Sequence, residues 1–141
     1  MTDHDHVSIY DALETDAELE RAGVVLDFGD YGKFKIARAG GRNQAYNSRV
    51  RAILKPYQRQ IDAGLLDDEK LAKLLAKPFA EHVVKGWEGV YDRNKQPLEY
   101  SVAAAEKLLT DLPELFMIVR EHANLLANFR KEDNDAAVKN S

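Results

Sequence analysis

Two Glu-His pairs are the residues of this chain whose types could support metal or acid–base chemistry. Glu81-His82 and Glu121-His122 each lie on or next to an apolar stripe of a predicted helix. A helix-borne metal site needs a second ligand one turn away on the same helix. The residues one turn away are Pro78 and Gly86 for the first histidine, and Ile118 and Leu126 for the second. We therefore interpret both histidines as partly buried core residues.

No other pattern in the sequence predicts a catalytic site. The chain has no cysteine, which excludes disulfides, cysteine–zinc sites and thiol catalysis. It also lacks a glycine-rich phosphate loop, a nucleophile elbow around any serine, and a distinctive pair of carboxylates. His4 and His6 stand beside Asp3 and Asp5 and could hold a stray metal, but a solvated terminus is the simpler interpretation. We predict no enzyme activity, no cofactor and no metal site.

The composition is that of one soluble domain. The 141 residues are 45% hydrophobic and 31% charged, with a formal net charge of −4, which excludes disordered and low-complexity classes. No apolar run approaches the roughly 18 residues that a membrane span needs, and the N-terminus does not resemble a signal peptide. We expect a single globular domain over residues 9–130, flexible tails at 1–8 and 131–141, and a cytoplasmic location.

Acidic and basic residues are separated along the chain. Residues 1–32 contain nine acidic side chains and one basic side chain, whereas residues 33–59 contain eight basic side chains and no acidic one. The basic block could contact nucleic acid, or it could dock on the acidic N-terminal segment or on an acidic partner. Nucleic acid is the less favoured partner because the chain as a whole is acidic.

Hydrophobic periodicity predicts an α+β fold that is mainly α. Two β-type runs around Gly29–Gly32 indicate a β-hairpin over about 23–39, with Phe34 and Ile36 on one face and Lys33 and Lys35 on the other. About four helices follow as a small bundle, and Pro56 should kink or end the first of them. An ordered loop or minimal hairpin containing Trp87 is expected at about 86–100. Asp67 is predicted to cap the helix that begins after Gly64, and Ser101 and Asp111 are predicted to cap the two helices that follow the loop.

The order of these pieces resembles the tail assembly chaperones of long-tailed bacteriophages, over about residues 22–130. The most specific part of the resemblance is the segment Lys85-Gly86-Trp87-Glu88-Gly89-Val90, which is followed by a turn at 92–95 and a helix start at 97–101. The segment Leu109–Pro113 is similar to the family's second helix start, and Asn128-Phe129-Arg130 to its last helix. Upstream, Gly32–Arg38 and the stretch from Asn43 to Pro56 are similar to its hairpin and following helix. Family members often have a glycine in the turn where this chain has Asn94-Lys95-Gln96.

The resemblance implies a non-enzymatic protein of the infected host's cytoplasm. It would bind the tape measure protein, keep that long helical chain soluble during tail assembly, and be absent from the virion. Further implied partners are the tail tube subunit, a frameshifted longer form of the same protein, and a second copy of itself. A nucleic-acid-binding or regulatory module using residues 33–59, and a minor structural tail or connector protein, remain the alternatives.

Two sets of residues are candidates for partner binding. The first is an apolar stripe of the last helix, which could instead pack on the other helices, and the second is a basic row that could instead be a solvated face. The stripe consists of Leu115, Phe116, Val119, Leu126 and Phe129, and the row consists of Arg51, Lys55 and Arg59. We interpret Trp87 as a core anchor for its loop.

Overall fold

A three-stranded antiparallel sheet and several helices form the part of the chain that the computed structural model describes, residues 6–131. This architecture confirms the predicted α+β, mainly α, fold class. The helices of this part are α1 (Ile9–Leu13), α2 (Ala17–Ala22), α3 (Gln44–Leu54), α4 (Gln58–Asp62), α5 (Asp68–His82), α6 (Val102–Asp111) and α7 (Pro113–Asn124). The strands are β1 (Val24–Asp27), β2 (Lys33–Ile36) and β3 (Val84–Glu88), in the order β1-β2-β3.

Most of the two predicted tails lies outside the described residues, and so do His4, Asp3 and Asp5. At the C-terminal edge of the described part, Lys131 donates its backbone N–H to the Glu14 carbonyl oxygen at 3.2 Å. The Lys131 ammonium is also 3.6 Å from a Glu14 carboxylate oxygen. Lys131 is therefore joined to the folded domain, although it was assigned to a tail.

The predicted hairpin is confirmed. Strands β1 and β2 pair antiparallel, with Leu26 opposite Phe34. Phe34 and Ile36 are buried while Lys33 and Lys35 are exposed, as the alternation of apolar and basic residues predicted. A short 3-10 turn, Gly29–Tyr31, connects the two strands.

The ordered loop or minimal hairpin predicted at about 86–100 begins later than expected, because Gly86 and Trp87 belong to β3. This strand pairs antiparallel with β2 and places Trp87 opposite Phe34. The following residues do form a narrow hairpin, in which Leu98 donates its N–H to the Val90 carbonyl at 2.8 Å. Lys95 in its turn has φ of +61°, a conformation that suits the glycine expected from the resemblance.

Side-chain caps and prolines set several helix boundaries. Asp67 and Ser101 accept hydrogen bonds from the N–H groups of Lys70 and Ala104, as predicted for the starts of α5 and α6. Helix α3 ends at Leu54, and the chain continues as a 3-10 turn over Lys55–Tyr57 that includes Pro56. This confirms the predicted break. Pro78, by contrast, lies inside α5 without ending it.

Two predictions about the end of the chain are wrong. Asp111 is the last residue of α6 and does not cap α7; the N-cap is Leu112, whose side chain makes no capping hydrogen bond. The last helix does not reach residue 129, because Leu125 adopts an extended conformation and a 3-10 turn, Leu126–Phe129, follows.

The hydrophobic core lies between the sheet and helices α3, α5, α6 and α7. Phe79 of α5 packs edge-on against Tyr46 and Phe116, with ring centroids 5.3 and 5.0 Å away. Each buried ring of this size contributes about 1.5–3 kcal/mol. The packing holds α6 and α7 beside the hairpin, which is the arrangement that forms the site described next.

Candidate partner-binding site

An open apolar groove of about 370 Å³ lies between the hairpin turn, the residues after β3, and the corner between α6 and α7. Engineered cavities of about 150 Å³ bind one benzene ring, so the groove has room for about two large apolar side chains. Its lining residues are Asp30, Tyr31, Phe34, Val90, Tyr91, Leu108, Leu112, Glu114, Leu115 and Ile118.

The hairpin and the residues that follow β3 form the floor and one wall of the groove. Phe34 and Val90 are almost fully buried and form the floor, whereas Tyr31 and Tyr91 are about 60% exposed at the rim. Gly32 sets the position of the turn: its φ is +102°, and an added Cβ would lie 2.8 Å from the Glu88 carbonyl oxygen. Only glycine allows the turn to come this close to the end of β3.

Helices α6 and α7 form the other wall. They are separated by the single residue Leu112, and Pro113 supplies the fixed φ that suits a first helical position. Leu108, Leu115 and Ile118 are partly buried along this wall, and Leu112 at the corner is 47% exposed. Three parts of the chain that are distant in sequence, namely the hairpin, the segment after β3 and the α6–α7 corner, therefore present apolar surface around one opening.

The charged residues that line the groove are both acidic. Asp30 and Glu114 are exposed, and neither forms an ion pair with any residue between 6 and 131. Near the corner, a hydrogen bond from the Lys107 ammonium at 2.8 Å is the main cause that lowers the pKa of Asp111. The groove thus combines apolar walls with two negatively charged side chains at its rim.

The predicted apolar stripe is divided by the structure. Leu115 lines the groove, whereas Phe116, Val119 and Phe129 are buried in the core and Leu126 is partly buried. Three of the five side chains therefore face the protein's own interior. This agrees with the alternative interpretation, in which the stripe packs on the other helices.

The predicted basic row lies on a different surface. Arg51, Lys55 and Arg59 are exposed, and no carboxylate between residues 6 and 131 forms an ion pair with them. Several other residues of the basic block form ion pairs within the molecule. Arg38 and Arg42 pair with Glu20. Arg49 pairs with Glu81 at 2.9 Å, and Lys33 pairs with Glu88 at 3.9 Å. Docking on the acidic N-terminal segment was one of the predicted roles, and Arg38 and Arg42 do this.

The histidines occupy separate structural positions. His82 ends α5, and partial burial is the main reason its pKa is lowered. The His122 ring packs against Phe28, with centroids 5.2 Å apart. Within residues 6–131, no group of three or more histidine, aspartate or glutamate side chains is arranged to hold a metal ion.

Trp87 anchors the loop as the sequence indicated. Its indole N–H donates to the Leu98 carbonyl oxygen at 2.7 Å, and its ring packs edge-on against Tyr100 at 5.1 Å. The Tyr100 hydroxyl in turn donates to the Val84 carbonyl oxygen at 2.7 Å. These bonds fix the segment that carries Val90 and Tyr91 to the groove.

Sequence reasoning missed most of the groove. Tyr31 stands in a 3-10 turn, Tyr91 forms an isolated β-bridge with Pro97, and Leu112 was assigned to a helix start, so no shared periodicity connects them. The available signal was an aromatic residue in or next to the turn of each hairpin, because large apolar side chains near loop tips often mark contact sites.

None of the helices in the described part of the chain combines the length and apolar character needed to cross a bilayer.

Comparison with known proteins identifies a family. The chain matches no curated protein and no solved structure. A family model described as "YdaY prophage protein" matches residues 41–140. The match begins before α3 and includes α5, β3, α6 and α7, so it covers the helical wall of the groove but not the hairpin. Because the match covers more than half of the sequence, the chain belongs to the YdaY prophage protein family and is phage-derived.

Proposed function

We propose that this protein is a non-enzymatic tail assembly chaperone that binds the phage tape measure protein and keeps it soluble in the host cytoplasm. The observation that carries the proposal is the apolar groove between the hairpin turn and the α6–α7 corner. A long helical chain with apolar stripes and no core of its own is prone to aggregate. A small domain that covers one stripe in a groove removes that hazard by helix-in-groove packing.

Phage origin supports the proposal because tail assembly is a phage process, and the resemblance of residues 22–130 to tail assembly chaperones points to this step in particular. The groove is also suited to reversible binding. It is small and open, and about half of the Leu112 side chain remains exposed at its corner. A chaperone must release its client when tube subunits assemble around it, so limited burial is an advantage.

The test is co-expression with the tape measure protein encoded by the same prophage. We expect the wild-type chain to raise the soluble fraction of the client and to co-purify with it. Leu112→Asn removes apolar surface from the groove while placing a preferred capping residue at the N-cap of α7, so the fold should be retained. This variant should lose most of the rescue.

A matched control is Leu65→Asn. Leu65 is a 75% exposed leucine that does not line the groove, and its replacement should leave the rescue unchanged. Equal rescue by wild type and Leu112→Asn would contradict a role for the groove. Absence of any rescue and of any co-purification would contradict the chaperone function.

A nucleic-acid-binding role is the second candidate, and the exposed row Arg51, Lys55 and Arg59 is the observation that favours it. Binding to duplex or single-stranded DNA should then weaken steeply as salt rises, and neutralising the row should abolish it. A structural tail protein would instead remain in purified virions, where an assembly chaperone should be absent.

A further inference from the structure

The two carboxylates beside the groove suggest which class of apolar segment it accepts. Asp30 approaches from the hairpin turn and Glu114 from the first turn of α7, so the acids come from both walls. No lysine, arginine or histidine of the described residues lines the opening. We infer that the groove binds an apolar helical segment that carries lysine or arginine residues beside its apolar face. This inference rests on the proposed function and specifies the client chemistry.

A simpler role for Glu114 is to stabilise its own helix. As a first-turn acid it interacts favourably with the N-terminal end of the α7 dipole. This role does not account for Asp30, which lies in a 3-10 turn of three residues. The helix dipole therefore explains the position of Glu114 alone, whereas both acids line the groove.

The protein's own exposed apolar helix is a poor occupant. Helix α1 exposes Ile9, Tyr10 and Leu13, and it could in principle enter the groove of a second copy. However, Asp11 lies within α1 and Glu14 follows it directly, which would bring carboxylates against the acidic rim. Like charges placed together oppose binding, so charge favours a different, basic partner.

The two exposed acids should change the binding affinity of a basic segment only moderately. Exposed ion pairs contribute about 0.2–1 kcal/mol each, so two pairs change affinity by between about twofold and thirtyfold. The apolar contacts would supply the rest of the affinity. Salt should reduce the charge-dependent part, because the Debye length is only about 10 Å at 0.1 M.

The test uses two synthetic amphipathic peptides of about 18 residues, or about five helical turns. They share one leucine face and differ only in the residues beside it, which are lysine in one peptide and glutamine in the other. Fluorescence anisotropy with the full chain should give tighter binding of the lysine peptide, by between about twofold and thirtyfold at low salt. The preference should shrink as salt is added.

Two double variants identify the groups responsible. Asp30→Asn with Glu114→Gln should remove the preference for the lysine peptide. Asp68→Asn with Glu121→Gln changes the net charge equally and also includes one first-turn acid, that of α5. Neither control residue lines the groove, so this variant should keep the preference.

The outcomes separate the charge inference from the proposed function. Equal affinity for the two peptides, or an equal loss of preference in both double variants, would overturn the charge inference while leaving client rescue by the wild type intact. Failure of both peptides to bind, together with rescue that survives Leu112→Asn, would overturn the groove as the binding site. Loss of client rescue altogether is a separate result that removes the chaperone function itself.

Discussion

The Glu20 carboxylate is completely buried and accepts a hydrogen bond from Nη1 of Arg38, eighteen residues later in the chain. The second Glu20 oxygen accepts from the Thr15 hydroxyl at 3.2 Å and lies 3.8 Å from Nε of Arg42. This cluster joins α2, in the acidic N-terminal segment, to the start of the basic block. A buried carboxylate is stable only while its partners remain.

Arg38→Met should therefore destabilise the protein strongly. It keeps most of the side-chain volume but leaves the Glu20 carboxylate without its main partner, which should lower the free energy of unfolding by about 3 kcal/mol. Arg42→Gln is the comparison, because the Arg42 side chain is 64% exposed and such contacts contribute at most about 1 kcal/mol. Urea denaturation of both variants checks this. Equal losses would show that Arg38 does not carry the pairing.

Gly32→Ala should disturb the groove from the hairpin side. Its Cβ would lie 2.8 Å from the Glu88 carbonyl oxygen and 2.9 Å from that of Gly89, at a φ of +102°. We expect a loss of about 2–4 kcal/mol in unfolding free energy. Gly29→Ala, in the same turn at φ +67° but with no atom within 4 Å of the added Cβ, should cost only about 1–2 kcal/mol.

Thermal or urea unfolding of the two glycine variants separates the two causes of destabilisation. Both positions have positive φ and therefore share the backbone strain, whereas only the Cβ added at Gly32 meets close atoms. Peptide binding measured on the folded fraction should weaken for Gly32→Ala and remain close to wild type for Gly29→Ala. Greater damage from Gly29→Ala would mean that the hairpin turn is not held against the end of β3.

Stability at high pH should report on Tyr46. Burial raises the pKa of Tyr46 to about 12, and the nearby Arg120 guanidinium opposes part of this shift. Because the unfolded phenol titrates near pH 10, this stabilising contribution is complete below about pH 10 and is lost as the pH rises towards 12. Between about pH 9 and pH 11.5 the wild type should lose roughly 2 kcal/mol more than Tyr46→Phe.

Urea denaturation at the two pH values gives this difference directly, and other groups that titrate in the same range cancel between the two proteins. Parallel losses in wild type and Tyr46→Phe would show that the phenol keeps its ordinary pKa in the folded state.

The local elements were predictable because short-range patterns determine them. Alternating apolar and basic residues specified the faces of β2, and Asp67 and Ser101 were recognisable as caps. Strand β3 was missed because Val84-Lys85-Gly86-Trp87-Glu88 contains a glycine and does not alternate in a regular way. It is a strand because β2 offers a pairing edge, which is information from outside the segment.

The candidate site was mostly unpredictable for the same reason. Of the predicted partner-binding stripe, only Leu115 lines the groove, because packing turns Phe116 and Val119 inwards towards α5 and the sheet. Periodicity identifies an apolar face but cannot say what covers it. Similarly, the blocks of charge were visible in sequence, whereas the burial of Glu20 of α2 against Arg38 depends on tertiary structure.

The most direct test of the groove as the client-binding surface is site-specific photocrosslinking at matched tyrosines. Tyr31 and Tyr91 at the rim are 61% and 60% exposed, and Tyr10 on α1 is 72% exposed but does not line the groove. Each would be replaced in turn by p-benzoylphenylalanine and irradiated during co-expression with the tape measure protein. We expect crosslinks to the client from positions 31 and 91 and none from position 10. Crosslinks from position 10 alone would contradict the groove as the binding surface.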